Sequence, residues 1–440
     1  MVTKRPLAVV YPASTQDIAA TIAYAAAHQL TVSSRATGHS LNGQSLSEGG
    51  ILLDMRMLNQ LHQIDEEHSH FLSDAGATWQ QVVDATIPLG LTPPVLTNNF
   101  DVSLGGTHSS AGLGSTSFRY GSQADNCLAL EVVTAAGDIL WCSPEQNAEL
   151  FNHVLCGHGQ FGIITQVKHR LRKYKASART YFLCYETLDS LLHDQEFLVR
   201  SGHADALLTV FVPCLVGFSR ATSVLKPIIQ WFYRIQVTIE ADTPSDIDER
   251  FLSDLHFYRH SYTEDLSFEQ HIRPVGTVPH PANTINPWLD VMLPASAAQA
   301  FFTTALERVP SFIDVRTTPM GSFSLLSENV SRPMLSLPDE DAIFSFGMYP
   351  TVAKAQFPIV LAQLNQLSDL GFQMGGKRYL VSWIDFAHAQ WQQQFGNYWS
   401  QVNTMKQKYD PNGILNPGFI QYDEPSSATS ALRIQDATAV

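Results

Sequence analysis

Charge is scarce in this chain, and basic charge is scarcer still. Of 440 residues, 27 are Lys or Arg and 41 are Asp or Glu, so charged side chains make up only 15% and the formal net charge is −14. That balance argues against nucleic acid and anionic membranes as main partners, because both reward a basic face. It leaves room for an anionic cofactor held by backbone amides. No window reaches the roughly 18 apolar residues that a transmembrane helix needs, so no membrane partner is expected. The apolar run at 7–10 stops at Tyr11-Pro12, too short for a secretory leader. Cysteine is also sparse: Cys127, Cys142, Cys156, Cys184 and Cys214 are all there is. None forms a C-x-x-C pair, which speaks against a zinc ribbon or a thioredoxin-type site, and no metal is assigned. An odd, irregular set of cysteines fits buried free thiols in a reducing compartment, and the chain is read as cytoplasmic. There is no internal repeat.

The length exceeds one ordinary core, and two domains are the natural expectation. Hydrophobic content of 45% and a mean hydropathy of −0.05 describe a globular protein. Glycine is unevenly spread and gathers in three stretches. The first is Ser33-Ser34-Arg35-Ala36-Thr37-Gly38-His39-Ser40-Leu41-Asn42-Gly43-Gln44. The second runs from Leu104-Gly105-Gly106-Thr107-His108-Ser109 through Gly112 and Gly114 to Gln123. The third is Gly157-His158-Gly159-Gln160-Phe161-Gly162, leading into Ile163-Ile164. Glycine lets a backbone approach a ligand closely, and successive N–H groups in such turns make a concave anion site.

Periodicity sets these loops among alternating elements. A strand at 7–11 precedes a helix at 18–28 capped by Ser14, then strands at 30–33 and 50–55. The first glycine loop hangs from the end of a strand, where α/β folds commonly place ligands. A strand at 71–77 leads to a helix at 78–89, and Pro93-Pro94 forbids helix beyond it. Residues 127–134 and 139–142 read as a hairpin, 147–155 as a helix. After about residue 175 the glycine clusters vanish. Helices are expected at 188–200, 245–256 and 296–308, a half-buried strand at 233–241, an extended segment at 286–294 and a long helix within 383–408. The tail at 426–440 is small and polar and is expected to fray.

Three glycine loops and a closing Lys408-Tyr409-Asp410-Pro411, followed by Ile414-Leu415-x-Pro417-Gly418, together resemble the FAD-linked oxidases of the vanillyl-alcohol-oxidase (PCMH) type. Within that type the resemblance is to the cytokinin dehydrogenases. It is dense over residues 5–172 and 395–420, and thin between, where Pro287-Trp288-Leu289 and Tyr379-Leu380 carry it. The resemblance implies an α+β, two-domain fold with a split cofactor domain. Residues 1–175, completed by 390–425, would bind FAD, and 176–389 would form a substrate domain with an antiparallel sheet covered by helices. It implies FAD bound covalently through His39, with Arg35, Ala36, Thr37, Gly38, Ser40, Gln44, Gly105, Gly106, Ser109, Gly112, Ile163, Ile164 and Asn416 around the cofactor. Some relatives add a second link through cysteine before the second loop. Residues 91–104 contain none, so one attachment is expected.

The chain also departs from that pattern. Cytokinin dehydrogenases use a carboxylate beside the flavin to take a proton from the substrate amine. Counting back from Gly105-Gly106 puts Asn98 at that position, and an amide has no basic lone pair at neutral pH. A second acidic position of the family falls near Gln236. Asp101, Asp290, Glu240 and His108 are the candidate replacements. The expected reaction is hydride transfer from a small alcohol or amine to the flavin, with dioxygen or another electron acceptor. A cytokinin dehydrogenase proper and a flavoprotein with a non-redox role are the alternatives.

Overall fold

The computed structural model describes residues 3–228, 230–274 and 281–423, so the tail at 426–440 lies outside the described residues. The chain begins with β1 (Ala8–Val10), α1 (Thr15–Ala27), β2 (Val32–Arg35) and β3 (Ile51–Asp54). α1 starts where the Ser14 side chain accepts the Asp17 N–H, satisfying an amide that the helix itself leaves free. Ile18, Ile22 and Ala25 recur at the helical period and are fully buried. β1 and β2 flank β3 in a parallel sheet.

A second sheet of this N-terminal lobe is antiparallel. It contains β4 (Leu61–Asp65) and β5 (His70–Asp74). After α2 (Trp79–Thr86) and α3 (Leu104–His108) come β6 (Cys127–Val133), β7 (Ile139–Cys142), α4 (Ala148–Val154) and β8 (Ile163–Arg170). The strand order is β4-β5-β8-β6-β7.

The central lobe is built on one nine-stranded antiparallel sheet. Its strands and helices are β9 (Ser177–Tyr185), α5 (Leu188–Ser201), β10 (Ala206–Pro213), β11 (Trp231–Ala241), β12 (Arg259–Ser267) and α6 (Phe268–Ile272). They continue with β13 (Leu289–Pro294), α7 (Ala295–Glu307), β14 (Met320–Ser322), β15 (Ala342–Met348), α8 (Phe357–Gln373) and β16 (Lys377–Arg378). The order is β12-β9-β11-β10-β14-β15-β13-β16, and a short strand, Ser324–Leu326, also pairs with β15.

Alternation decides what each sheet face meets. Tyr233, Ile235 and Val237 of β11, Leu289 and Val291 of β13, and Phe344 and Phe346 of β15 join α5, α7 and α8 in one core. The intervening residues look the other way. Met292 and Ile343 on that face share a cluster with Phe151, Leu155 and Phe161 of the N-terminal lobe. Arg234, Gln236, Thr238 and Glu240 of β11 point to the same side by the same alternation.

The last elements, α9 (His388–Phe395) and α10 (Trp399–Tyr409), return to the N-terminal lobe. Trp391, Phe395, Trp399 and Val402 enter its core. Leu415 then bridges Val32 in parallel, the Val32 N–H donating to Ile414 O at 2.7 Å and the Asn416 N–H to Val32 O at 2.8 Å. No helix among the described residues is long and apolar enough to cross a membrane.

Two elements differ from the sequence expectation. Residues 245–256 form two short 3-10 turns, Pro244–Asp246 and Glu249–Asp254, instead of a helix. Here the acidic side chains compete for the backbone: Asp246 accepts the Thr243 N–H and Asp248 the Arg250 N–H, stabilising turns over helix. The long helix within 383–408 is two helices, broken at Gly396 with φ +52°. The five cysteines are free, but only Cys127, Cys142 and Cys156 are buried; Cys214 is exposed.

Candidate active site

The three glycine loops converge, and the backbone does most of the work. Gly38 sits at φ +77° with the Arg35 guanidinium 2.7 Å from where a Cβ would be. Gly112 sits at φ +73°, with Gln123 Oε1 at 2.1 Å from a Cβ position. Neither position accepts a side chain without displacement. Four non-glycine residues in or beside these loops also hold positive φ: Ala111 (90°), Cys156 (58°), His158 (51°) and Asn416 (45°). Such conformations cost free energy and persist only where the surroundings over-determine them.

Hydrogen bonds lock the loops to one another. The Cys156 N–H donates to His108 O at 2.8 Å and the His158 N–H to Ser109 O at 2.9 Å, joining the third loop to the second. Asn416 Nδ2 donates to His158 O at 2.6 Å, and Gln160 Nε2 to Asn416 O at 2.7 Å. Beneath them, Lys406 Nζ donates to Gln160 O, Asp410 Oδ2 and Leu415 O. Asp410 in turn accepts the Ile414 and Leu415 N–H groups. The first loop is held by Asn42, which donates to Ser382 O at 2.8 Å and accepts the Ile384 N–H at 2.7 Å. Ser40 Oγ donates to Ser45, and the Asn42 N–H to Gln44 Oε1. The Tyr379 hydroxyl, from the central lobe, accepts the Gly112 N–H at 3.1 Å.

His39 is exposed, yet partial desolvation lowers its pKa and Asp101 nearby acts in the opposite sense. The imidazole is therefore neutral at physiological pH, with a free lone pair. His108 is wholly buried, and burial pushes its pKa down to about 4; it packs against Trp79 and His169, with Nδ1 bonded to Leu104 O at 2.8 Å. His158 is likewise held neutral, at about 4. Buried His158 Nδ1 and Gln123 Oε1 have no hydrogen-bond partner in the protein, so polar capacity is left over where the loops meet. Ile163 and Ile164 are core strand residues packed in separate clusters. Gly105 fits tightly over Ala75, and Gly106 over the Ser103 hydroxyl that caps α3. Strained, amide-rich turns with unpaired buried polar atoms fit a dinucleotide of the flavin type.

Where the second loop approaches the central sheet lies a cavity of about 500 Å³. Asn98 and Gln236 line it from opposite lobes, so the two positions chosen from sequence are brought together. Glu240 also lines it but is engaged: Arg172 grips its carboxylate with two hydrogen bonds, 2.9 and 2.5 Å. That pairing answers the idea of Glu240 as a free base.

Asp101 stands by His39, outside the cavity lining. Asp290 does not line it either. It is buried in β13, four strand spacings from β11, or roughly 19 Å at ordinary strand separation. Its Oδ1 accepts the Tyr349 hydroxyl at 2.6 Å while Oδ2 has no partner. Burial raises its pKa to about 6, against the opposing effects of Tyr349 and Arg378.

One cavity residue escaped the sequence reading. His271, on α6, lines the same space, and burial holds its pKa below the ordinary value despite Glu240 and Glu264. A single histidine on a five-residue helix carries no periodic signal, and only the fold places it on the same cavity as Asn98.

Comparison with known proteins gives this geometry a class. Residues 6–143 match the FAD binding domain family, and residues 220–421 match the family described as cytokinin dehydrogenase 1, FAD and cytokinin binding. The protein is thus an FAD-dependent oxidoreductase. Among its relatives, Cytokinin dehydrogenase 10 of Oryza sativa subsp. japonica is 30% identical over 94% of this chain and 84% of its own length. An uncharacterized oxidoreductase, ORF5 in the fasciation locus of Rhodococcoides fascians, is 29% identical over 94% and 93%. Cytokinin dehydrogenase 1 of Arabidopsis thaliana is 25% identical over 99% and 82%. The chain belongs to the cytokinin dehydrogenase family.

Proposed function

We propose that this protein oxidises a small amine or alcohol bound in the cavity between Asn98 and Gln236, using FAD held covalently by His39. The observation that carries this reading is the cavity itself, which joins the second glycine loop to the polar face of the central sheet. Bound FAD would supply the hydride acceptor at its N5 atom. The family and the names of its relatives make an N6-substituted adenine the first substrate to test.

Each residue then has a limited task. The turns at Arg35, Ala36, Thr37, Gly38 and Ser40 would offer N–H groups to the cofactor pyrophosphate. The amides of Gly105, Gly106 and Ser109 already donate to Ala75 O, Ser103 Oγ and Gly105 O, so these three residues would serve the cofactor by close backbone approach. Gln44 and Asn416 would hold these turns in shape. Neutral His39 has the lone pair that a covalent link requires, with Asp101 beside it. Asn98 orients the substrate N–H or O–H by hydrogen bonding but cannot take its proton. His271 is the neutral base on the same cavity, and its ring nitrogen accepts that proton directly or through one water. On this reading residues 1–175 and 390–425 form the cofactor domain and 176–389 the substrate domain. Electrons leave to dioxygen or another acceptor.

The test is anaerobic mixing of the flavin-loaded protein with N6-isopentenyl adenine and with a panel of small amines and alcohols, read as bleaching of the visible flavin band. Bleaching by the adenine alone identifies a cytokinin substrate. Bleaching only by an alcohol favours alcohol oxidation, and none by any member overturns the hydride-transfer reading. Separately, acid precipitation should leave a yellow pellet from the native protein and a colourless one from His39→Ala. A colourless native pellet rules out the covalent link.

A further inference from the structure

On the helix-covered side of the central sheet, away from the cavity, α5 carries an unusual pair. His193 is exposed, while its neighbour Asp194 is fully buried on the apolar face of the helix. A buried carboxylate needs partners, and Asp194 finds both in His256. Its Oδ2 accepts the His256 N–H at 2.5 Å, and its Oδ1 lies 2.8 Å from His256 Nδ1. The His193 and His256 rings meet edge to face, centroids 4.9 Å apart. One ligand atom from each of the three residues lies within 4.8 Å of the others, the one such set of three among the described residues. Behind them the fully buried Tyr185 hydroxyl borders the same carboxylate and makes no hydrogen bond of standard geometry. It is a donor placed to orient a carboxylate that becomes a ligand.

We propose that His193, Asp194 and His256 bind one late first-row divalent cation, with zinc as the probe. Two imidazoles and one carboxylate, open to solvent on the remaining side, are the donors such ions prefer. Calcium and magnesium favour sets made of oxygen atoms. The ion would tie α5 to residues 255–258, which lead into β12. That edge strand places Glu264 and Leu266 on the cavity wall. The site thus fastens the outer wall of the substrate cavity without touching the flavin loops.

The experiment is calorimetric titration of the chelator-treated, flavin-loaded, full-length protein with zinc sulfate, repeated with cobalt to read the visible ligand-field bands. The expected result is one equivalent of zinc bound, with a higher thermal midpoint by mass action and an unchanged flavin spectrum. Binding should weaken about tenfold or more in both His193→Ala and His256→Ala. These exposed positions test the site without the folding risk of replacing buried Asp194. No stoichiometric binding to the native protein, or binding that survives in the His193→Ala/His256→Ala double variant, overturns the proposal.

Discussion

The glycine-loop half of the site and the substrate-cavity half are made of different material. On the N-terminal side the site is backbone: glycines with no room for a Cβ, strained non-glycine turns and amides pointing at one another. On the central side it is side chains raised from one face of a sheet, such as Gln236, Glu240 and Glu264. Backbone sites tolerate little variation, because each residue must adopt a rare conformation. Side-chain sites keep their strand intact whatever the polar residue, so chemistry there can change without disturbing the fold. An amide at position 98 beside fully formed glycine loops is that asymmetry in one molecule.

The largest expected effect tests the side-chain half. His271→Gln should slow flavin reduction by about 10²–10⁴-fold, the usual contribution of a general base. In the native protein the rate should rise with pH through a His271 pKa that burial sets below its ordinary 6.5; the variant should lose that limb. A variant within a few-fold of native, with the limb intact, would move the base elsewhere.

The next test breaks the backbone half from below. Lys406→Met removes the cation that holds Gln160, Asp410 and Leu415 together, stranding the buried Asp410 carboxylate. The expected loss is about 3–5 kcal/mol, measured by denaturant unfolding, with weaker flavin retention.

Asp290→Asn should act in the opposite direction. Burial raises the Asp290 pKa from 3.8 to about 6, so the native state holds this proton more tightly than the unfolded chain does. Stability from that group is complete below about pH 4 and is lost as pH rises to about 6. Asparagine keeps an acceptor for Tyr349 and removes the ionisation cost. Unfolding at pH 8 should then require on the order of 2–3 kcal/mol more than in the native protein, with no gain at pH 4. An equal change at both pH values would refute the account. The smallest effect is expected for Gln236→Leu. Losing one cavity hydrogen bond of about 0.5–1.5 kcal/mol should weaken substrate binding several-fold and leave the reduction rate at saturation nearly unchanged.

The same asymmetry explains what could be read in the chain. The glycine loops, the Ser14 cap and the alternation of β11 are local signals, and they placed the FAD side of the fold and the family. Residues 245–256 misled because composition alone favours a helix there, whereas the acidic side chains bond to nearby backbone amides. His271, Tyr349 and the pair His193 and His256 leave no local trace. They acquire partners only when strands distant in sequence come together; His256 and Asp194 are separated by 62 residues. Spacing reaches Asn98, seven positions before a glycine pair, and the fold puts that residue on the cavity wall.

The pairing of Leu415 with Val32 also orders events during synthesis. Ser33 and Asn416 touch across 383 residues, and the third glycine loop relies on Asn416 for its shape. While the ribosome is still making the central lobe, the N-terminal lobe lacks the segment that bridges to Val32 at the edge of its parallel sheet. Flavin capture would therefore follow release of the last turns of the chain. The nascent protein must protect an unfinished, apolar-edged lobe until then, and interrupting synthesis before residue 414 should yield chains that do not retain cofactor.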